Sequence, residues 1–428
     1  MKKVLATILA LVMAIGLCSV SWATESGLPA AVNGVIKLTG DATTDALQND
    51  ITYDLNGHTL TYSGSTHVVT EGKTLTFMDS FVTGNARGGT LVLSGVTGTT
   101  AAINPQKNST LKVSNITVTC TGSAFFPQGN AAEVDVVACD VTASIYCVGT
   151  NARNAENGGV VITLKDSAFV ANAADGDNCP VMINVPGTLD INNCTITGDR
   201  QAVLVRAGTA VITNSDIKTT GRFNEASTKY HSDAWSSGNE VPAAALTVGN
   251  YQNKAATAYL ADAKVTVTNT KLTAENGVPA IYTDANDTHK GDLTIGGDST
   301  VVTGEVMKGQ KADKAVIAVT GGSYDSDVTS LTTEAVAVTG ELERTRVVGQ
   351  SAINAVAKAG NNVRIVKGNV TLTDVPAGVI VYPGEGTVKV NGKDISGVQY
   401  SDGYTVPQSS GYYYYHPTTD TKTTDTKG

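Results

Sequence analysis

"TLDINNCTITGDRQAVLVRAGTAVITNSDI", residues 188–217, states one pattern twice. Leu189-x-Ile191-x-Asn193-Cys194-x-Ile196 returns 21 residues later as Ala210-x-Ile212-x-Asn214-Ser215-x-Ile217. Alternate residues of a strand point to the same side, so positions 1, 3 and 5 of the motif share a face. The next apolar residue stands at position 8, which breaks that parity. The chain must therefore bend between positions 5 and 8.

The pattern extends in both directions. Before the pair come Leu75-x-Phe77-x-Asp79-Ser80, Leu111-x-Val113-x-Asn115-Ile116-x-Val118, Val134-x-Val136-x-Ala138-Cys139-x-Val141 and Ile162-x-Leu164-x-Asp166-Ser167-x-Phe169. After it come Val265-x-Val267-x-Asn269-Thr270-x-Leu272 and a looser Ile317-x-Val319-x-Gly321-Gly322-x-Tyr324. Measured at position 5, copies from 115 to 214 lie 23, 28, 27 and 21 residues apart, and the 55 residues from 214 to 269 read as two periods. One short strand motif returning every ~20–30 residues is the signature of a solenoid. A further run of β-formers follows each bend: Ala124–Phe126, Ile145–Cys147, Val181–Ile183, Ala202–Val205 and Ala280–Tyr282. Each coil therefore has at least two strands, and the fold expected is an all-β parallel β-helix.

Position 5 is asparagine at Asn115, Asn193, Asn214 and Asn269. By strand parity these side chains are expected to face inward, where polar groups need partners. Coils stacked about 4.8 Å apart would supply them, each amide bonding its neighbours above and below while capping the turn. The aspartates at this position, Asp79 and Asp166, are not adjacent copies. That fits, because stacked carboxylates would repel by several kcal/mol at an effective dielectric of about 20.

The remaining sequence divides around this body. Residues 1–23 read as a Sec signal peptide, with Lys2 and Lys3, an apolar run from Val4 to Leu17, and Ser21-Trp22-Ala23 as the cleavage site. The protein is expected to be secreted or held at the cell surface after cleavage behind Ala23. Residues 24–60 form an N-terminal cap and first coil, 61–330 the β-helix, and 331–408 a C-terminal cap or small β-rich module with a short helix from Ser351 to Ala359. Residues 409–428 form a polar, Tyr- and Thr-rich tail expected to be disordered. An insertion, 222–262, interrupts the body and carries the strand Ala243–Val248.

Aromatics are only 5% of the 428 residues, so the core must be aliphatic β-structure. The net charge of −9 and the lack of a basic stripe argue against a nucleic acid partner. No second long apolar run follows the leader, so the mature chain is expected to have no transmembrane span. Five cysteines follow the leader, Cys120, Cys139, Cys147, Cys179 and Cys194. An odd number argues against a disulfide framework, and without a CxxC pair zinc is not expected, leaving buried thiols.

"ITYDLNGHTLTYSG" (51–64) and "KTLTFMDSFVTGNARGGTLVLSG" (73–95) resemble the N-terminal coils of right-handed parallel β-helix repeat proteins of the pectin-lyase-like superfold. "NGVPAIYTD" (276–284), "AVTGGSYDSDV" (318–328) and the Tyr-rich tail resemble the same group, which is common among exported proteins of gut Gram-positive bacteria. The resemblance spans roughly 50–400 and implies a right-handed β-helix. Enzymes of the superfold cut acidic polysaccharides by calcium-assisted elimination or by acid/base hydrolysis. The Asn-Thr-Asp, Asp-Asp and Gly-His-Gly runs of its hydrolases are absent from the solenoid. The nearest run to a lyase motif, His231-Ser232-Asp233-Ala234-Trp235, has a different order.

No pair of carboxylates stands out for glycosidase chemistry: Asp190, Asp199 and Asp216 read as solvated or turn residues. Asp199 with Arg200, Arg206 and Lys218 could clamp a uronate but reads first as surface ion pairing. Asp175, Asp177 and Asn178 offer oxygens to calcium, but such an ion needs six or more ligands, so no cofactor is expected. The histidines show no metal spacing, no metal site is expected, and no catalytic residue is assigned. The insertion is the best candidate for contact with a substrate. Arg222, Tyr230, His231, Asp233, Trp235 and Tyr251 concentrate there, and an exposed indole can stack on a sugar ring while polar neighbours bond its hydroxyls. The function expected is that of a non-catalytic exported β-helix, an adhesin-like scaffold or glycan-contacting module with polysaccharide or cell-surface glycan as partner. The alternative is a polysaccharide lyase or glycoside hydrolase acting on acidic polysaccharide.

Overall fold

The computed structural model describes residues 27–150, 159–172, 178–222, 243–249, 261–285, 289–309, 314–340, 344–384, 386–395 and 413–414. The repeats build a parallel β-helix with three strands per full coil. The first sheet has eleven strands, running from Val35–Lys37 to Ile317–Val319, all paired in parallel. The second sheet begins at Ala42–Thr44 and the third at His67–Val69. The third consists of a three-stranded and a five-stranded part, linked through bridges of Val148 to Phe125 and Val181.

Register makes the repeat physical. Leu111, Val134, Ile162, Leu189, Ala210, Val265, Leu293 and Ile317 stand one above another, and all are buried. Position 3 stacks in the same way, from Val113 to Val319. Position 8 forms a third inward column, including Val118, Val141, Phe169, Ile196, Ile217 and Leu272. Each such side chain contributes roughly 1.5–3 kcal/mol by leaving water. At the N-terminal end, Tyr53 and Phe77 of successive coils stack with ring centroids 5.4 Å apart.

The bend departs from the parity argument. Asn115, Asn193, Asn214 and Asn269 do stand at one corner, coil above coil, but they face outward, half-buried at Asn115 and exposed at the other three. Their φ angles are 59°, 53°, 52° and 50°, and Ala138 and Asp166 share the conformation at 54° and 51°. A left-handed residue breaks strand alternation, so position 5 turns out and position 6 turns in. Asparagine is favoured because it tolerates this region better than most residues. The inward polar column is at position 6 instead. Ser167, Ser215 and Thr270 are buried. Cys139 N donates to Ser167 Oγ (3.0 Å), Cys194 N to Ser215 Oγ (3.1 Å), Ser215 N to Thr270 Oγ1 (3.3 Å) and Thr270 N to Thr300 Oγ1 (3.4 Å). The outer asparagines still bond between coils, as the stacking argument expects: Asn193 Nδ2 donates to Asp166 Oδ1, the same position of the preceding coil, at 2.6 Å, and Asn115 Nδ2 donates to the carbonyls of Gly84 and Ala86.

The 55-residue interval also reads differently. Gly208–Thr213 pairs directly with Ala263–Thr268, so one enlarged coil fills it, not two. Ala244–Val248 is that coil's regular third-sheet strand, between Gln201–Val205 and Ile281–Thr283.

All five cysteines are free and buried. Cys139 and Cys194 occupy position 6, and burial pushes each thiol up to about 11, against the lowering effect of backbone hydrogen bonds.

The coil stack ends where direction reverses. Thr345–Val348 lies antiparallel to both Gly322–Tyr324 and Val336–Thr339, extending the second sheet into the C-terminal module. This module has its own core, including Ile353, Val363, Ile365, Val381 and Val388, under the helix Gln350–Lys358. Two residues of the tail, Tyr413–Tyr414, form a strand on the outer edge of Ile380–Tyr382.

Candidate functional site

The three corners of the coil differ in what they admit. Between the first and second sheets the link is two residues in seven coils: 115–116, 138–139, 166–167, 193–194, 214–215 and 269–270 in succession, and again at 320–321. The one long loop at this corner, 79–89, is pinned by Asp79, whose carboxyl accepts the N–H groups of Gly57 (2.7 Å), Phe81 (2.7 Å) and Gly89 (2.6 Å). Its Arg87 lies across later coils, bonding Asp140 Oδ1 (3.0 Å) and the carbonyls of Cys139 (3.3 Å) and Asp166 (2.8 Å). The long links elsewhere in the body adjoin the third sheet. Those at 94–100, 172–180, 220–243 and 275–280 lead into it, and those at 126–132, 149–159, 249–262, 284–290 and 309–316 leave it.

The middle strands of the third sheet are buried on both faces, unlike its end strands His67–Val69 and Val306–Lys308. Gln201–Val205 and Ala244–Val248 are buried at every residue, as are Val181–Ile183 and Ile281–Thr283. Their inward residues, such as Val203, Val205, Leu246 and Ile281, join the main core. On the outward side Met182 and Leu204 belong to a separate apolar cluster with Phe126, Tyr146 and Cys179. First-sheet strands instead alternate buried and exposed, as in Gly208–Thr213.

A polar row follows the outward side where the third sheet turns back to the first. In register it runs Asn184, Arg206, Gly249, Asp284 and Gly309. Asn184 is 5% exposed, Arg206 2% and Asp284 1%. Burying charge in this way is costly unless each group is engaged, so the row is built rather than incidental. Thr150 Oγ1 donates to Asn184 Oδ1 (2.8 Å) and accepts Asn184 N (2.9 Å). Asp284 accepts the Tyr282 hydroxyl (2.7 Å) and the Ala285 N–H (2.8 Å). Glycine is required at two rungs. A Cβ on Gly309 would overlap the Asp284 carboxyl and the Tyr282 hydroxyl, and Gly249, at φ 87°, lies against the Asp284 backbone.

At the opposite edge, where the second sheet turns into the third, Asp199 organises the turn. It pairs with Arg222 Nη2 at 2.5 Å, accepts Thr220 Oγ1 at 2.8 Å, and donates its N–H to Asn178 Oδ1 at 3.0 Å. Of the cations grouped with Asp199 in the sequence, Arg200 and Arg206 are buried, and Lys218 pairs with Glu275 at 2.8 Å. Arg222 takes the place by Asp199. Asp190 faces outward from the first sheet and Asp216 from the start of the second, so Asp190, Asp199 and Asp216 share no face.

Arg222 is the one residue of the insertion's candidate group within the described part. Tyr230, His231, Asp233, Trp235 and Tyr251 lie outside it, as do Asp175 and Asp177. Chain order still relates them: the segment with Tyr230 to Trp235 leads into Ala244–Val248, and Tyr251 follows that same strand. Among the described residues, no three His, Cys, Asp or Glu side chains group as metal ligands, and no helix is long and apolar enough to cross a membrane.

The polar row was not singled out from sequence, although a signal was present. "QAVLV" and "AAALTV" lack polar alternation, the mark of a strand buried on both faces. The fold places the chain in the class of parallel β-helices. No family model, curated protein or solved structure matches it.

Proposed function

We propose that this chain is an exported, non-catalytic β-helix of the pectin-lyase-like superfold that works at the bacterial surface as an adhesin-like scaffold. Its ligand-contacting side is the third sheet with the segments that adjoin it, and the ligand is a polysaccharide or cell-surface glycan. The observation that carries this reading is the concentration of long links at the two edges of one sheet, while the opposite corner keeps two-residue turns through six successive coils. Binding residues commonly sit on variable segments held by a rigid scaffold. Trp235, Tyr230, His231, Asp233 and Tyr251 belong to the two segments that flank Ala244–Val248, and Arg222 stands at the root of the longer one.

Two measurements test this. On a glycan array the wild type should bind and Trp235→Ala should lose binding; a blank array, or equal binding by both, removes the glycan-contact reading. Incubation with pectins and other acidic polysaccharides should release neither unsaturated nor reducing ends, and release of either would establish catalysis.

A further inference from the structure

Ile380–Tyr382 is the fifteenth strand of the sixteen-stranded sheet and pairs in parallel with Val363–Lys367 on its inner side. Its outer edge is covered by Tyr413–Tyr414, antiparallel, with Ile380 opposite Tyr414 and Val381 opposite Tyr413. The segment 378–382 reads Gly-Val-Ile-Val-Tyr, uncharged and rich in β-formers. An edge of this kind has no lysine to repel a second strand, and an uncovered one templates pairing with another chain. The covering segment is equally marked, with four consecutive tyrosines from Tyr412 to Tyr415 between Ser410 and Pro417. Only 17 residues, 396–412, separate it from the end of the module at Ile395, so tethering holds it near the edge at about millimolar effective concentration.

We propose that Tyr413–Tyr414 is an edge cover: it occupies Ile380–Tyr382 in cis and so keeps this edge from pairing with the same edge of a second copy. The cis contact spans two residue pairs, so local substitutions should release it. Joining the same edge of two copies is a two-fold contact that uses up both edges, so it should form a closed antiparallel dimer and not a filament.

The test uses the full chain. Tyr413→Pro with Tyr414→Pro removes the backbone donors and should convert a monomer into a concentration-dependent dimer by light scattering, with an unchanged far-UV spectrum. Tyr413→Val with Tyr414→Val keeps strand-forming backbone and should remain monomeric. Adding Ile380→Lys to the proline variant should restore the monomer, as should a synthetic peptide of residues 409–417. Ile380→Cys with Tyr414→Cys should cross-link within one chain on mild oxidation. A proline variant that stays monomeric at the highest soluble concentration, a dimer indifferent to Ile380→Lys, or absence of the intrachain cross-link would each overturn the proposal.

Discussion

The corner between the first and second sheets and the two edges of the third sheet are built on opposite terms. At the corner, an outward left-handed residue and an inward hydroxyl or thiol recur in coil after coil, and each backbone N–H finds the coil beside it. A one-residue change in a two-residue turn there would put the next strand's side chains on the wrong face, although the same corner widens to four residues at 38–41, 55–58 and 297–300 and to eleven at 79–89. At the third sheet, links vary from two residues at 206–207 to 24 at 220–243, yet the strands still stack in register. Between residues 115 and 270 the two-residue corner is constant, and the variation in length falls on the other two.

One glycine inserted between Asn214 and Ser215 should sharpen this comparison most. We expect a loss of about 4–5 kcal/mol or more, seen as lost cooperative unfolding in urea, since both strand register and the inward column fail. The same insertion within 223–242 should shift the midpoint by less than about 2 °C, because lengthening a long loop adds little closure entropy. Equal damage at both places would break the distinction.

Gly309→Ala probes the third-sheet edge, where the new methyl meets the Asp284 carboxyl and Tyr282 hydroxyl. Overpacking there should cost about 2–3 kcal/mol by thermal or urea unfolding. Ser215→Val probes the corner. It leaves the buried Cys194 N–H without its acceptor, for about 1–3 kcal/mol, while Ser215→Thr should be nearly neutral.

A pH-dependent effect comes from Asp54. Burial alone would raise its carboxyl, but hydrogen bonds from the Ser80 hydroxyl and N–H, with Lys37 nearby, outweigh burial and hold it below the usual carboxylate range. A depressed folded pKa gives stability that is complete above the unfolded value and is lost as pH falls through it toward the folded one. Asp54→Asn should therefore flatten the acid limb of a stability–pH curve and leave its slope near neutrality unchanged. Smallest is a gain. Ala138 sits at φ 54° but is buried, with no room for asparagine, so Ala138→Gly should relieve the left-handed strain and add up to about 1 kcal/mol.

The period and the inward columns at positions 1, 3 and 8 were legible because apolar side chains return at a fixed spacing only when each turn of chain buries the same face. Asn193 and Asn214 marked the right place with the wrong direction. Strand parity was carried through a residue whose own chemistry signals the conformation that breaks it. Ser167, Ser215 and Thr270 gave no warning, because a hydroxyl is read as a surface group until a neighbouring coil supplies its partner. The stretch from Asn214 to Asn269 looked like two coils, since length alone does not separate a missing motif from a long link. Asn184, Arg206 and Asp284 could not be grouped by sequence, for they are brought together only by register across coils separated by links of unequal length.

Thr345–Val348 has a consequence for size. Running against Gly322–Tyr324, it offers the next layer a reversed template, onto which no further parallel turn can be wound. The terminator thus decides where winding stops, while the number of turns before it is set by the turns themselves. A gene in which one regular turn were copied should yield a rod taller by a single interstrand spacing, about 4.8 Å, closed by the same lid.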